Sequence, residues 1–387
     1  MTDLHELYRD LHQHPELSLQ EFRTAEVLAD ALRPLGFDVT TNVGGTGVVG
    51  VLRNGDGPVV LLRADIDALP VEEATGLPYS STRPGVAHAC GHDMHATCLV
   101  GAAERLAQTR AEWSGTLLVV FQPAEELVCG ARNMVEDGLF ERFGRPDIVL
   151  AQHVGPLPAG MIAYGSGPLM AASDSVTVTL FGRGGHGSAP ETTVDPVLMA
   201  AHAVVRLQGI VAREISPSER AVVTVGRIQA GTQENVIPET AELGINIRSF
   251  NEHVRGLLRA AVERIVRAEA AASGAPREPE FDWHGGTPVL VSDPDATSRT
   301  VEAFTAQFGQ ERLIPGAVVN ASEDVGVFGM AAEVPTVFWF FGGIDFSARE
   351  PGRAAPMNHS PEFAPDIEPT LSTGVDALVV AARTWLS

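Results

Sequence analysis

In the run His88-Ala89-Cys90-Gly91-His92-Asp93 a thiol and an imidazole stand two residues apart with a glycine between them. Cys and His are both strong transition-metal ligands, and the glycine lets the backbone turn sharply between them. Two chemistries are open to this pair: Cys90 and His92 as metal ligands, or Cys90 as a nucleophile. A second pair, Glu125-Glu126, follows an apolar run and Pro123. Adjacent carboxylates at the end of a buried strand are costly unless a cation lies beside them. Metal-assisted hydrolysis needs one carboxylate on the metal and another free to take a proton from water. Asp65-Ile66-Asp67, Gln152-His153 and Asn358-His359-Ser360 add residues of ligand type. Taken singly, each has a plainer reading: a buried thiol at Cys90, a hydrogen-bonded histidine at His153, an exposed loop histidine at His359. His95, on the same helix face as His92, and Asp93 suit support of the ligands. His12 and His14 are expected to be structural, Glu72-Glu73 to be a surface pair, and Cys98 and Cys129 to be small core residues.

Apolar strands are expected over 37–41, 46–52, 59–64, 116–121 and 148–151, with helices over 20–36, from Met94 to about Gln108, and over 131–136. Their alternation indicates an α/β domain with a mostly parallel sheet. In such a sheet, ligand-type residues gather where strands end at the carboxyl edge. Residues 59–64, 116–121 and 148–151 run into Asp65-x-Asp67, Glu125-Glu126 and His153 respectively. The stretch 174–285 has a different rhythm. Strand 175–181, helix 196–212, strands 221–229 and 241–250, helix 252–272 and strand 280–283 make the β-α-β-β-α-β order of a ferredoxin-like domain. Glycine- and proline-rich flanks at 165–168 and 285–288 suit hinges. Helix 296–308, strand 336–341 and helix 369–385 return to the first domain. The expected organisation is therefore a catalytic domain in two parts, 1–173 and 286–387, with an insertion at 174–285.

Composition excludes several functions. The chain has 387 residues, 44% of them hydrophobic, and a formal net charge of −22. That charge opposes nucleic acid and anionic membrane surfaces. All 27 basic residues are arginine. Without lysine there is no Schiff-base or pyridoxal phosphate chemistry and no P-loop. Gly182–Gly187 only superficially matches a dinucleotide fingerprint. No apolar run reaches the roughly 18 residues of a membrane span. The N-terminus is polar, without a signal-peptide pattern, and a cytoplasmic protein is expected.

Longer motifs appear in a fixed order: Leu11-His12-x-x-Pro15-Glu16-Leu17, Leu62-Arg63-Ala64-Asp65-x-Asp67-Ala68-Leu69-Pro70, the cysteine run, Phe121-Gln122-Pro123-Ala124-Glu125-Glu126, Gly184-Gly185-His186, Asn235-Val236-Ile237-Pro238, Ser322-Glu323-Asp324 and Asn358-His359-Ser360. Over essentially its whole length the chain resembles the aminoacylase/carboxypeptidase superfamily of metallo-amidohydrolases. The similar branch holds hippurate hydrolases, auxin–amino acid conjugate hydrolases and N-acetyl-diaminopimelate deacetylases. The resemblance implies two divalent ions (Zn, Mn, Ni or Co) held by Cys90, His92, Glu126, His153 and His359. Cys90 takes the place of a bridging aspartate in more distant members. Glu125 would be the general base. Asp67 would orient a metal-binding histidine in those members, whose position two residues earlier is Asp65 here. The inserted domain would be a lid and dimer interface, with a tetramer also open. It would carry His186, reaching the partner's site, and Asn235 and Arg248 as substrate contacts.

The expected reaction is hydrolysis of a linear N-acyl amino acid to a carboxylate and a free amino acid. A dipeptidase or aminopeptidase on the same scaffold is the alternative, and would need a carboxylate for a free α-ammonium. A cysteine hydrolase using Cys90, and a metal-binding relative without activity, are the other readings.

Overall fold

The computed structural model describes residues 2–348 and 354–386. They form two compact units. One comprises the chain up to Leu169, Val291–Val318 and the chain from Glu323 onward; the other comprises Met170–Leu290 with Val319–Ser322.

The first unit is built on an eight-stranded sheet. Its spatial order is Asp38–Val43, Gly47–Asn54, Gly115–Gln122, Val59–Asp65, Ile148–Pro158, Thr336–Ile344, Ile162–Tyr164, Leu313–Pro315. The four central strands run parallel. Parallel strands covered on both faces are apolar on both faces, and Thr336–Ile344 is buried at every position. Antiparallel strands flank this centre, Gly47–Asn54 against Gly115–Gln122 and Ile162–Tyr164 against Thr336–Ile344. Helix His92–Gln108 packs against Ile367–Trp385 and Leu4–Gln13. Because Val59–Asp65, Gly115–Gln122 and Ile148–Pro158 point the same way, their carboxyl ends share one edge. The register fixes the alignment, with Asp65 opposite Gln122.

The second unit has strands Ala172–Phe181, Ala221–Ala230, Thr240–Ser249 and Glu280–Thr287 and helices Pro196–Leu207 and Glu252–Ala272. Counted along the chain, its sheet runs second, third, first, fourth, with every neighbour antiparallel. Thr240–Ser249 alternates strictly, and Ala241, Leu243, Ile245 and Ile247 face the helices' apolar residues in a separate core. That alternation is what a sheet covered on one face requires.

Several elements differ from the sequence expectation. The helix expected over 20–36 is Phe22–Leu32 followed by a 3-10 turn at Arg33–Leu35, where Pro34 cannot supply an N–H to continue it. The strand expected to stop at 151 runs to Pro158, because its parallel neighbour keeps pairing with it as far as Ile344. His153 thus lies within a strand, not at its end. The second unit extends beyond 174–285 because Ala172–Phe181 starts earlier and Glu280–Thr287 ends later than expected. Glu73 is no surface residue. Its carboxylate accepts from Nε2 of buried His12 at 3.2 Å, while Glu72 stays exposed. Cys98 is buried as expected, but Cys129 is only half-buried.

His12 also meets Asp93 through Nδ1 at 2.6 Å, which ties the first helix to the start of His92–Gln108. Burial opposes the His12 cation, but Asp93 and Glu73 outweigh it and raise its pKa to about 9 from 6.5. A raised folded-state value stabilises the fold fully below about pH 6.5 and ceases to do so as pH rises through about 9. The advantage of the parent protein over His12→Gln in urea unfolding should therefore shrink by roughly 3 kcal/mol between pH 6 and pH 10. An unchanged difference would remove the charged pair.

Candidate metal centre

Four segments of the first unit deliver the candidate ligands to one place, and a fifth, carrying Asp67, ties two of them together. Gly91 makes the first delivery possible. Its φ is +86°, and a Cβ there would sit 2.4 Å from Val154 Cγ1. Only glycine adopts that turn at so close an approach, and it turns Cys90 and His92, both buried, into the same space. The Glu125-Glu126 turn hangs on Asp67. The backbone N–H groups of Glu125 and Glu126 donate to its two carboxylate oxygens at 3.1 and 3.0 Å. Ser18 donates to it as well, at 2.6 Å.

Asp67 Oδ1 lies 3.2 Å from His92 Nδ1. A proton on Nδ1 donated to Asp67 leaves the Nε2 lone pair of His92 free. His153 is set the same way, with Nδ1 donating to the Val154 carbonyl at 2.7 Å and Nε2 facing Cys90 Sγ at 3.5 Å. Glu126 Oε1 lies 3.9 Å from His92 Nε2 and 3.3 Å from His359 Nε2. Thus Cys90, His92, Glu126, His153 and His359 converge. His359 is about half exposed and closes the group from the solvent side.

Two buried atoms here have no hydrogen-bond partner, His92 Nε2 and Glu126 Oε1. An unsatisfied buried polar atom costs about 1–3 kcal/mol, and a cation between these two would remove that cost. Thiol, imidazole and carboxylate together are a transition-metal donor set. Local electrostatics favour positive charge at this point. Burial opposes a His92 cation, yet the Asp65 charge and the Asp67 hydrogen bond hold its pKa well above the ordinary value. Burial pushes the Cys90 thiol up to about 12. Even with His92 beside it that thiol stays protonated near neutrality unless a metal ion displaces the proton, which counts against the nucleophile reading. The residues present fit a divalent ion.

Glu125 points elsewhere. Its carboxylate gathers with those of Glu323 and Asp324, all buried. Burial, then Glu323, Glu126 and Asp324, push its pKa well above the usual carboxylate range. Beneath this cluster lies Arg63, wholly buried in the middle of a strand. It donates to Asp65 at 2.9 Å, to Glu323 at 2.8 Å, to Asp324 at 3.3 Å and to the Gln122 side chain at 2.8 Å. In the sequence Arg63 stands out only as part of a longer motif, with no role of its own. An arginine in Val59-Val60-Leu61-Leu62-Arg63 was the available signal, since a buried guanidinium demands carboxylates.

The second unit holds the other three candidates. His186 and Asn235 meet at one short ladder, in which Gly185–His186 pairs with Val236–Ile237 and Gly187 N–H donates to the Asn235 carbonyl. His186 is exposed, and its Nδ1 accepts from the Ser188 N–H at 3.1 Å. Arg248 lies on Thr240–Ser249 and donates to the Asn320 carbonyl at 2.8 Å and Ser322 Oγ at 3.1 Å.

The family model for peptidase family M20/M25/M40 matches residues 61–383. The chain belongs to this family. It is 38% identical to the hippurate hydrolase of Campylobacter jejuni over 329 residues, 84% of this chain and 85% of the relative. It is 37% identical to the N-acetyl-L-cysteine deacetylase of Bacillus subtilis over 336 residues, 86% and 79% of the two chains. Among solved structures, the Bacillus subtilis YXEP protein, a dinuclear metal-binding peptidase of the M20 family, superposes with a TM-score of 0.79 at 32% identity. That match covers 98% of this chain and 97% of the other. This M20 chain is a metallo-amidohydrolase. Among its described residues no helix is long and apolar enough to cross a membrane.

Replacing Arg63 with methionine would leave Asp65, Glu323 and Asp324 buried without their cation. Removing one partner of a buried ionic network costs about 3–5 kcal/mol. Denaturant unfolding of Arg63→Met should show a loss of that size; a loss below about 1 kcal/mol would mean the carboxylates are held otherwise.

Proposed function

We propose that this enzyme hydrolyses the amide bond of N-acyl amino acids, releasing a carboxylate and a free amino acid, with two divalent ions at Cys90, His92, Glu126, His153 and His359. The observation that carries this reading is the division of labour between neighbouring carboxylates. Glu126 presents to the histidines an oxygen that makes no hydrogen bond, while Glu125 is turned to Glu323 and Asp324. Similarity to a hippurate hydrolase and to an N-acetyl-L-cysteine deacetylase supports the N-acyl amino acid substrate. Similarity to a dinuclear peptidase supports two ions.

Ions held by Cys90, His92, Glu126, His153 and His359 would polarise the amide carbonyl and make a water more acidic. Glu125 takes the proton from the attacking water and delivers it to the leaving amine. A buried carboxylate beside Glu323 and Asp324 takes up a proton readily, which suits the first transfer. Asp67 holds His92 and the Glu125-Glu126 backbone in place. His186 of the partner subunit donates to the oxyanion that develops on the carbonyl. Arg248 and Asn235 hold the carboxylate of the amino-acid half, for which a planar guanidinium is better suited than a point charge.

Glu125→Gln should retain the full metal content while turnover falls by about 10²–10⁴-fold. Turnover within tenfold of the parent would remove Glu125 from this role. Assaying N-acetyl and N-benzoyl amino acids beside unblocked dipeptides tests the substrate class, and faster cleavage of the dipeptides would replace it with a dipeptidase.

The second unit supports a homodimer. Ala221–Ala230 is an edge strand, with unpaired backbone groups open to another chain. Ile228 on it, and Leu198 and Val205 on the helix Pro196–Leu207, are exposed. Pairing two such edges would bury these side chains. Light scattering after size exclusion should report a dimer for the parent and a monomer for Ile228→Glu; a monomeric parent would refute the interface.

A further inference from the structure

The candidate ligands Cys90, His153 and His359 come from three segments distant in the chain. They are a turn before a helix, the interior of a strand, and a loop without regular structure. The Cys90 Sγ to His153 Nε2 approach of 3.5 Å cannot by itself hold two backbones in register. Asn358 spans all three. Its side-chain nitrogen donates to the Cys90 carbonyl at 3.1 Å and to the Val154 carbonyl at 3.2 Å. One amide nitrogen has two protons, so both are used. The next residue, His359, has φ of +71°, a left-handed conformation uncommon for a residue with a Cβ. Its N–H donates to the Ala89 carbonyl at 2.7 Å. The loop is thus fastened twice to the cysteine turn and once to the histidine strand.

The Val154 peptide is where these fastenings meet. Its carbonyl accepts from Asn358 and also from His153 Nδ1, which leaves the His153 Nε2 lone pair toward Cys90. Its N–H donates to His95 Nε2 at 2.7 Å. His95 in turn uses Nδ1 for Asp65 at 2.5 Å. Both His95 nitrogens are therefore occupied, and it supports the centre from within the cluster without a free lone pair to offer a metal.

We infer that Asn358 is a positioning residue that locks Cys90, His153 and His359 into one metal-binding constellation through the carbonyls of Cys90 and Val154. The inference rests on the metal-centre reading above. Ordering three separate segments only when a metal arrives would subtract from binding affinity; a donor that has already joined them removes that cost.

Asn358→Leu keeps the side chain's shape without its donors, and Asn358→Ala removes both. The whole protein would be stripped with a chelator and titrated with Co²⁺ against a chromophoric competitor. Stoichiometry, affinity and the visible Co²⁺ spectrum would be followed, along with the melting temperature of the metal-free forms. In both variants the affinity for at least one equivalent should fall by about 10–100-fold and the spectrum should change, while metal-free melting stays within about 2 °C of the parent. Binding of every equivalent within threefold of the parent, with the parent spectrum, would overturn the proposal. So would a variant that fails to fold or melts far lower without metal, since Asn358 would then be a folding contact. A parent protein that binds no Co²⁺ would refute the metal centre itself, and this role with it.

Discussion

One carboxylate, Asp67, sets the geometry of the site. It sits just past the end of Val59–Asp65, and its oxygens receive the two peptide N–H groups of the Glu125-Glu126 turn and the Ser18 hydroxyl while facing His92 Nδ1. Burial disfavours its anion, yet His92, Ser18 and the Glu126 backbone hold its pKa below the ordinary value. An acceptor-only group with this many donors must stay ionised. It therefore joins the two consecutive carboxylates to the first histidine before any metal is considered. Glu125 and Glu126 cannot move independently of His92.

The interior beneath that edge is a problem in charge compensation. Asp65, Glu125, Glu323 and Asp324 are all buried, and Arg63 is the cation among them. One arginine does not neutralise four carboxylates, and the structure distributes the deficit unevenly. Asp65, which has both Arg63 and His95 beside it, is driven well below its ordinary pKa, with burial opposing. Glu323 is pushed up to about 7 and Asp324 to about 6, with burial the leading cause. Glu125 is likewise pushed up, by burial first and then by Glu323, Glu126 and Asp324. Environments that push neighbouring carboxyl groups apart are how one site holds both an anion and a proton carrier at the same pH.

Parts of this were legible in the residues and parts were not. The parallel centre of the sheet was visible in Leu117–Phe121 and Val59–Leu62, because strands buried on both faces must be apolar on both. The β-α-β-β-α-β order of the second unit was visible in its alternating strands and two amphipathic helices. The ends of elements were not. Nothing within Gln152–Pro158 shows that it continues as strand, since that depends on Thr336–Ile344 pairing alongside. Glu73 looked like one of a solvated pair, and its burial follows from His12, which lies 61 residues away. Arg63 was readable as an anomaly within an apolar run, but its partners Glu323 and Asp324 lie some 260 residues on.

By itself the sequence determined which residue types were available: a thiol and imidazole around a glycine, two adjacent carboxylates after an apolar strand, and no lysine anywhere. Those are properties of local chemistry and local backbone, and they leave metal-assisted hydrolysis and a cysteine nucleophile both open without placing an atom. The tertiary structure decided which nitrogen of each histidine is free and which of two neighbouring glutamates faces the histidines. It also decided that His95, though beside the ligands, has no free lone pair to offer a metal. Those outcomes depend on hydrogen bonds from Asp67, from the Val154 peptide and from Asn358. Partners so far away in the chain are brought to a side chain only by the packing of the whole sheet.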